Sequence, residues 1–252
     1  MNTQKIKKVS TPKVVLERIG FLGLGIMGSA MAANLMRAGF QVSGFDPSAK
    51  ACQQFKAAGG KPCRNPEELV ESVQVVITSL PNSAALKQSA EILASSGRKG
   101  LLVIETSTLD HRDKEAARVI AANSGVVLLD CPLSGTGAQA KRKDLTVYAS
   151  GSKADIKRLA PVFEGFSKAH FDLGAFGNGM KMKLMANLLV AIHNVSTAEA
   201  MAFGMKAGIA PETIYDVLCG SAATSRILEV RGPMMVRNSY DDNVSATFLT
   251  MA

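Results

Sequence analysis

The feature that most constrains this chain is a glycine pattern, Gly23-x-Gly25-x-x-Gly28, which follows an apolar, β-prone run ending at Leu22. Residues rich in Ala, Met and Leu come next and favour a helix up to Arg37. A strand, a glycine turn and a helix in this order are typical of a dinucleotide-binding unit. Gly23 permits the tight turn, Gly25 lets the backbone approach a pyrophosphate, and Gly28 allows close packing of helix on strand.

Apolar, strand-like runs then alternate with amphipathic helical stretches. The further strands are expected at Gln41–Phe45, Val73–Ser79, Leu101–Glu105, Val126–Asp130, Leu145–Ala149 and Ala169–Phe171. Strands that are apolar on both faces need cover on both faces, so the pattern predicts a parallel sheet with helices on each side. We therefore expect an α/β Rossmann fold with a doubly wound parallel sheet.

The alternation of strand-like and helical stretches ends at the glycine-rich segment 174–179. A long helical stretch is expected over Met180–Ala207, and its apolar content predicts packing on most sides. Two further helices are expected, from Pro211 to Cys219 and over Ser225–Val236. The chain thus divides into a disordered basic tail (1–13), an NAD-binding Rossmann domain (14–179) and an all-α domain (180–252).

Composition excludes several other classes of protein. Hydrophobic residues make up 47% of the 252 residues and charged residues 20%, so the chain is expected to be globular. No run of about 20 consecutive apolar residues occurs, which argues against a membrane-spanning helix. Four cysteines form neither a disulfide framework nor a metal-binding spacing, so we expect a reduced, cytoplasmic protein without a metal. Half of the net charge of +8 lies in residues 1–18, which argues against a nucleic-acid partner.

Asp46 ends the second strand, 23 residues after Gly23. A carboxylate at this place accepts hydrogen bonds from ribose hydroxyls and repels a 2′-phosphate, so NAD is expected rather than NADP. The alternative is that Asp46 caps a helix beginning at Pro47.

Two other groups of residues suggest a substrate site. Ser134-Gly135-Thr136 follows a strand, and its small residues form either an anion-binding nest or an ordinary loop. Lys183 and Asn187 are spaced i, i+4 on the long helix and share one face. Lys183 is either a proton donor in a partly dry cleft or a lysine whose charged end reaches solvent. Cys131 is interpreted as a packed thiol.

Residues 20–250 resemble the β-hydroxyacid dehydrogenases, which include 3-hydroxyisobutyrate dehydrogenase, tartronate semialdehyde reductase and, more remotely, 6-phosphogluconate dehydrogenase. The segments that carry the resemblance are GFLGLGIMGSAMAANLMRAG, DCPLSGTGAQA and GNGMKMKLMANLLVAIHNVSTAEAMAFGMKAG. The resemblance implies an NAD-dependent enzyme that transfers a hydride to or from a short-chain β-hydroxy acid. It also implies that residues 180–252 serve substrate binding and dimerisation, and that further helices follow Ala252.

The resemblance assigns roles to individual residues. Lys183 is implied to be the general acid/base, with Asn187 beside it as a catalytic residue. Ser134, Gly135 and Thr136 are implied to bind the substrate. The residues implied to hold the cofactor are Gly23, Leu24, Gly25, Ile26, Met27 and Gly28 at the pyrophosphate, Asp46 at the ribose, and Leu80, Pro81 and Thr108 beside the nicotinamide.

This chain departs from the family pattern in its substrate loop. Thr136 stands where a second glycine is usual, and Gln139 replaces a later glycine. The added hydroxyl suggests a more hydroxylated acid, such as a tetronate, beside 3-hydroxyisobutyrate and glycerate or tartronate semialdehyde. An NAD-binding module without turnover is the alternative function.

Overall fold

The computed structural model of the chain describes residues 16–240. The strands are β1 (Arg18–Leu22), β2 (Gln41–Phe45), β3 (Lys61–Pro62), β4 (Val75–Thr78), β5 (Leu102–Glu105), β6 (Val127–Asp130), β7 (Leu133–Ser134), β8 (Thr146–Ala149) and β9 (Ala169–Asp172). The helices are α1 (Ile26–Arg37), α2 (Ala49–Ala57), α3 (Pro66–Ser72), α4 (Ser83–Ser95), α5 (His111–Ala122), α6 (Gly137–Lys141), α7 (Lys153–Phe166), α8 (Asn178–Lys206), α9 (Pro211–Cys219) and α10 (Arg226–Val236). The predicted tail, residues 1–13, lies outside the described residues.

Six strands form a parallel sheet in the order β3-β2-β1-β4-β5-β6. The chain leaves β1 toward β2 and then returns to β4 on the other side of β1. This reversal is the switch point at which doubly wound sheets bind their ligands, outside the carboxyl ends of the strands. The predicted α/β Rossmann fold is confirmed.

The sheet is covered on both faces, as its apolar strands require. Val75 and Ile77 of β4 belong to one buried cluster, which also contains Phe21 and Phe163. The intervening Val76 belongs to a second cluster on the opposite face. Burying a side chain of this size stabilises the fold by about 1.5–3 kcal/mol.

A second sheet of three strands, in the order β7-β8-β9, adjoins the carboxyl end of β6. Strand β7 is antiparallel to β8, and β8 is parallel to β9. The sequence predicted β8 and β9 as strands but did not separate them from the main sheet. It also missed four short elements, namely β3, α3, β7 and α6. Helix α2 begins at Ala49, after a Ser48 cap, and not at Pro47.

The chain divides into two compact units between Lys183 and Leu184, inside the continuous helix α8. In the second unit, α9 packs on α8 where a Cβ at Gly204 would lie 2.5 Å from Ile214 Cδ1. Helix α10 packs on α9 in the same way, with Gly232 against the ring of Tyr215. The division predicted between residues 179 and 180 stays a prediction.

Helix α8 is less buried than its apolar content predicted. One face, which carries Leu184, Leu188, Ile192 and Val195, is more than half exposed. Among the described residues, α8 is also the one helix long and apolar enough to cross a membrane, judged by length and composition alone. The sequence alone excluded a helix of this kind, and by length and composition that exclusion is wrong. Core helices of soluble proteins pass the same test of length and composition.

Candidate active site

The glycine turn between β1 and α1 is enforced by backbone contacts. Gly23 has φ +96°, and a Cβ there would lie 2.1 Å from the carbonyl oxygen of Ser79. A Cβ at Gly28 would lie 2.1 Å from the carbonyl oxygen of Gly23. These two glycines are therefore needed to pack α1 against the ends of β1 and β4.

Gly25 differs from its two neighbours, because a Cβ there would meet nothing within 4 Å. It is the N-cap residue of α1, and no side chain caps this helix within residues 16–240. The first N–H groups of α1 therefore have no capping side chain among the described residues, and they lie at the positive end of the helix dipole. An uncapped helix N-terminus beside a glycine without steric neighbours fits a pyrophosphate.

The other residues of the turn have distinct surroundings. Leu24 is buried, and its Cδ2 would lie 2.9 Å from a Cβ at Gly44, so its side chain belongs to the core. Only the backbone of Leu24 is therefore available to a cofactor. Ile26 is exposed and Met27 is half-buried at the start of α1.

Asp46 is held beside the glycine turn. Its Oδ2 accepts a hydrogen bond from Leu24 N at 2.8 Å, and its Oδ1 accepts one from Ser48 N at 2.8 Å. Ser48, not Asp46, caps α2 by accepting from Ala51 N. The capping alternative for Asp46 is therefore wrong. A half-exposed carboxylate fixed next to the pyrophosphate turn keeps acceptor sites for ribose hydroxyls.

The loops after β4 and β5 are tied together at the carboxyl edge of the sheet. Leu80 N donates to Ser107 Oγ at 2.8 Å, and Thr106 Oγ1 donates to the carbonyl oxygen of Thr78 at 2.7 Å. Leu80 and Thr108 are half-buried and Pro81 is exposed. These residues thus lie at the carboxyl ends of β4 and β5. Strand β4 is the neighbour of β1, and the glycine turn follows β1 at the same edge of the sheet.

The loop Ser134-Gly135-Thr136 is ordered by its own contacts. Ser134 belongs to β7, and Gly135 has φ +133° with its Cα directed so that a Cβ would lie 2.6 Å from Leu145 Cδ2. Thr136 is the N-cap of α6, and its Oγ1 accepts from Gln139 N while Gln139 Oε1 accepts from Thr136 N. The two residues that depart from the family pattern therefore form one reciprocal cap.

This loop also touches the glycine turn. A Cβ at Gly137, the first residue of α6, would lie 2.6 Å from Ile26 Cγ2. The segment that begins at Ser134 and the segment that begins at Gly23 therefore meet within the first unit, although more than 100 residues separate them.

Lys183 lies in the second turn of α8 and is half-buried. Burial lowers the pKa of its ammonium, and no carboxylate of residues 16–240 forms an ion pair with it. Asn187 is half-buried one turn later, on the same face of the helix. Asn194, on that face as well, donates to the carbonyl oxygen of Val190 in its own helix.

The sequence interpretation missed a buried ionic cluster below these loops. Lys114 of α5 is fully buried, with its Nζ 2.6 Å from Glu105 Oε2 and 2.6 Å from Asp130 Oδ1. Burial opposes the charge of Lys114, but the two carboxylates outweigh it and the pKa of Lys114 is raised. Cys131, next to Asp130, is fully buried, and burial raises the pKa of its thiol, as expected of a packed thiol.

The comparisons with known proteins agree with this geometry. The family profile for the NAD-binding domain of 6-phosphogluconate dehydrogenase matches residues 18–174. The profile described as the NAD-binding domain of NADP-dependent 3-hydroxyisobutyrate dehydrogenase matches residues 177–250. The site and the first match together define a nicotinamide-dependent oxidoreductase with a Rossmann domain.

Individual relatives narrow the class further. L-threonate dehydrogenase of Cupriavidus necator is 35% identical over 88% of this chain and 76% of its own length. NAD-dependent L-serine dehydrogenase of Pseudomonas aeruginosa is 32% identical over 86% of this chain and 74% of its own. A structure of Mycobacterium tuberculosis 3-hydroxyisobutyrate dehydrogenase with L-serine superimposes with a TM-score of 0.82 at 30% identity, covering 87% of this chain and 75% of that one. The chain belongs to the β-hydroxyacid dehydrogenase family and binds NAD.

Proposed function

We propose that this chain catalyses reversible, NAD-dependent hydride transfer at the hydroxyl-bearing carbon of a short-chain β-hydroxy acid, with Lys183 as the general acid/base. The observation that carries this proposal is the partial burial of the Lys183 side chain without an ion-pair partner among the described residues. Its pKa is lowered by burial, and it has no ion-pair partner among the described residues, so it can change its protonation during turnover. A lysine whose charged end merely reaches solvent would keep its ordinary pKa.

The cofactor, when bound, supplies the acceptor or donor of the hydride. In the oxidative direction the neutral amine of Lys183 takes the proton of the substrate hydroxyl while the hydride leaves the same carbon. In the reductive direction the ammonium of Lys183 returns the proton to the carbonyl oxygen. Asn187, one turn further along α8, is proposed to hold the substrate through its side-chain amide.

The substrate carboxylate is proposed to bind the loop Ser134-Gly135-Thr136. The hydroxyl of Thr136 accepts a bond from Gln139 N, which leaves its hydrogen for donation to an anionic or hydroxyl oxygen. A positioned donor of this kind supports a hydroxylated acid such as a tetronate, and the similarity to a L-threonate dehydrogenase points the same way. The other substrates in the proposed class are 3-hydroxyisobutyrate and glycerate or tartronate semialdehyde.

NAD is proposed to be preferred over NADP because of Asp46. Its carboxylate is fixed by Leu24 N and Ser48 N, so it cannot turn away from the ribose site without losing both hydrogen bonds. A 2′-phosphate placed there would meet a negative charge, and like charges in contact cost several kcal/mol. The proposed roles of Leu80, Pro81 and Thr108 beside the nicotinamide rest on their place at the ends of β4 and β5 and on the family resemblance.

The assembly and location of the protein are further proposals. We propose a cytoplasmic homo-oligomer, in which residues 180–252 contribute substrate binding and subunit contact. The exposed apolar face of α8, formed by Leu184, Leu188, Ile192 and Val195, supports a contact of this kind.

An initial-rate screen tests the proposed function. It pairs NAD and NADP separately with L-threonate, D-threonate, 3-hydroxyisobutyrate, glycerate and L-serine, and with the corresponding carbonyl compounds in the reverse direction. We expect NAD-linked turnover that Lys183→Ala lowers by at least about 100-fold, with NADH affinity unchanged. The exposed Lys181→Ala, on the same helix, is the matched control. NADH binding without turnover of any acid would contradict the proposal and leave a cofactor-binding module.

A further inference from the structure

The start of α8 is held by side chains from other elements. Gly179 N donates to Ser150 Oγ at 2.9 Å, and Met180 N donates to Asp130 Oδ2 at 2.8 Å. These are two of the N–H groups that a helix cannot satisfy internally, and a carboxylate at a helix N-terminus is electrostatically favourable. Gly179 also sits against backbone, since a Cβ there would lie 2.4 Å from the carbonyl oxygen of Tyr148. The first turn of α8 is thus fixed to the ends of β6 and β8.

The carboxylate that holds this turn is itself held by Lys114. Asp130 and Glu105 are register partners on the neighbouring strands β6 and β5. Two carboxylates side by side repel each other, and both are fully buried. The Nζ of Lys114 lies 2.6 Å from an oxygen of each, and this buried cation makes their juxtaposition possible.

Lys114 makes a third contact, with the loop that follows β5. Its Nζ donates to the carbonyl oxygen of Ser107 at 2.8 Å. The Oγ of Ser107 accepts a hydrogen bond from Leu80 N, and the backbone N–H of Ser107 donates to Glu105 Oε1 at 2.9 Å. One ammonium group therefore joins the loops after β4 and β5 to the first turn of α8.

We propose that Lys114 is a positioning residue for catalysis, which sets the place of Lys183 relative to the strand-end loops around Leu80 and Thr108 by holding Asp130 and Ser107 together. This inference rests on the proposed function, because it assumes that Lys183 moves the proton and that these loops hold the nicotinamide. A shift of about 1 Å at a reacting group can cost about 100-fold in rate. A loosened start of α8 therefore lowers kcat, while the glycine turn and Asp46, which directly follow β1 and β2, continue to bind cofactor.

Two variants test the role of Lys114. Lys114→Met alone leaves two buried carboxylates unpaired and destabilises the first unit strongly. The triple variant Lys114→Met/Glu105→Gln/Asp130→Asn removes all three charges, approximately preserves the side-chain volumes and keeps a side-chain acceptor at position 130. The matched control is Arg98→Met. Arg98 donates to the carbonyl oxygens of Val70 and Val73 at the opposite, amino end of the sheet, far along the strands from the site.

Four quantities are measured on the 252-residue chain: amide hydrogen exchange, NADH affinity, kcat and KM. For the triple variant we expect amides in residues 178–183 to exchange at least about tenfold faster, while those of α1 change by less than about twofold. We expect kcat to fall by about 100-fold, with NADH affinity and KM within about threefold of the wild type. Arg98→Met should change none of these by more than about threefold.

Two results would overturn the inference. One is unchanged exchange at the start of α8, or a kcat within about threefold of the wild type, in a folded triple variant. The other is a loss of protection and of NADH affinity throughout the first unit, which a general stabilising role would give. If the wild type turns over no acid, the proposed function fails, but hydrogen exchange still decides whether Lys114 holds the start of α8.

Discussion

The glycine turn allows fold stability and cofactor affinity to be separated with two substitutions. Gly25→Ala places a methyl group in open space, on an extended backbone with φ −65° and ψ −164°. Replacing a glycine N-cap by alanine destabilises the helix start, whereas the smaller conformational freedom of alanine in the unfolded chain stabilises the fold. The free energy of unfolding should therefore change by less than about 1 kcal/mol. Gly28→Ala instead places a Cβ 2.1 Å from the carbonyl oxygen of Gly23. Overpacking against rigid backbone costs about 3 kcal/mol.

NADH affinity should respond to the two substitutions in the opposite order, with the larger effect from Gly25→Ala. The methyl group of Gly25→Ala keeps a phosphate from the N–H groups of α1, and losing one charge-assisted hydrogen bond costs about 1.5–3 kcal/mol. NADH affinity should therefore fall by about 10- to 100-fold. Thermal unfolding should show a Tm within about 4 °C of the wild type for Gly25→Ala and about 6–12 °C lower for Gly28→Ala. The chain contains no Trp, so NADH fluorescence can be titrated without a tryptophan background. A Gly25→Ala protein that binds NADH as tightly as the wild type would refute the placement of the pyrophosphate.

Two further predictions concern Asp46 and Lys183. Asp46→Arg should lower the ratio of the NADP Kd to the NAD Kd by at least about tenfold, because it replaces the like charge with an opposite one. Asp46→Asn, which removes the negative charge but keeps an acceptor for Leu24 N, should lower the ratio less, and an unchanged ratio in both variants would count against the ribose role. Lys183→Met should raise Tm at pH 7, since a lysine whose folded pKa is lowered by burial destabilises the fold while both folded and unfolded states carry the charge. The gain should shrink as the pH rises through the folded pKa toward the ordinary value, and a gain that does not change with pH would show that the cause is packing.

Much of the fold was predictable because its strands are local patterns. The run around Val75–Thr78 is buried at every position, so its apolar residues are continuous in the sequence and the strand is easily identified. Strand β3 has two residues, one of them a proline, and carries no period at all. The separation of β8 and β9 into a second sheet depends on the pairing of distant residues, Thr146 with Ala169 for example, which no local pattern records.

The site was predictable to the extent that backbone geometry dictates residue type. Gly23 and Gly28 are glycines because carbonyl oxygens lie 2.1 Å from any Cβ, and this requirement leaves a signature in the sequence. Lys114 leaves none, because it stands in the polar helix HRDKEAARVIAA, where a lysine normally faces solvent. Its burial follows from Glu105 and Asp130 being neighbours across β5 and β6, a fact of sheet order and register.

The two lysines of the proposed site have different surroundings, which fits the different tasks proposed for them. Lys114 and Lys183 are both withdrawn from water, and burial acts against the charge of each. Lys114 has a carboxylate on each side, which raises its pKa and favours its charged form, so it can hold the two carboxylates together. Lys183 has no such partner among the described residues, and its pKa falls. A carboxylate within reach of Lys183 would stabilise its ammonium form and raise its pKa, so that the neutral amine, the form that accepts a proton, would be less populated. The network therefore places Asp130 where it binds the backbone of α8 through Met180 N, so that it orients the helix that carries Lys183 without pairing with the lysine itself.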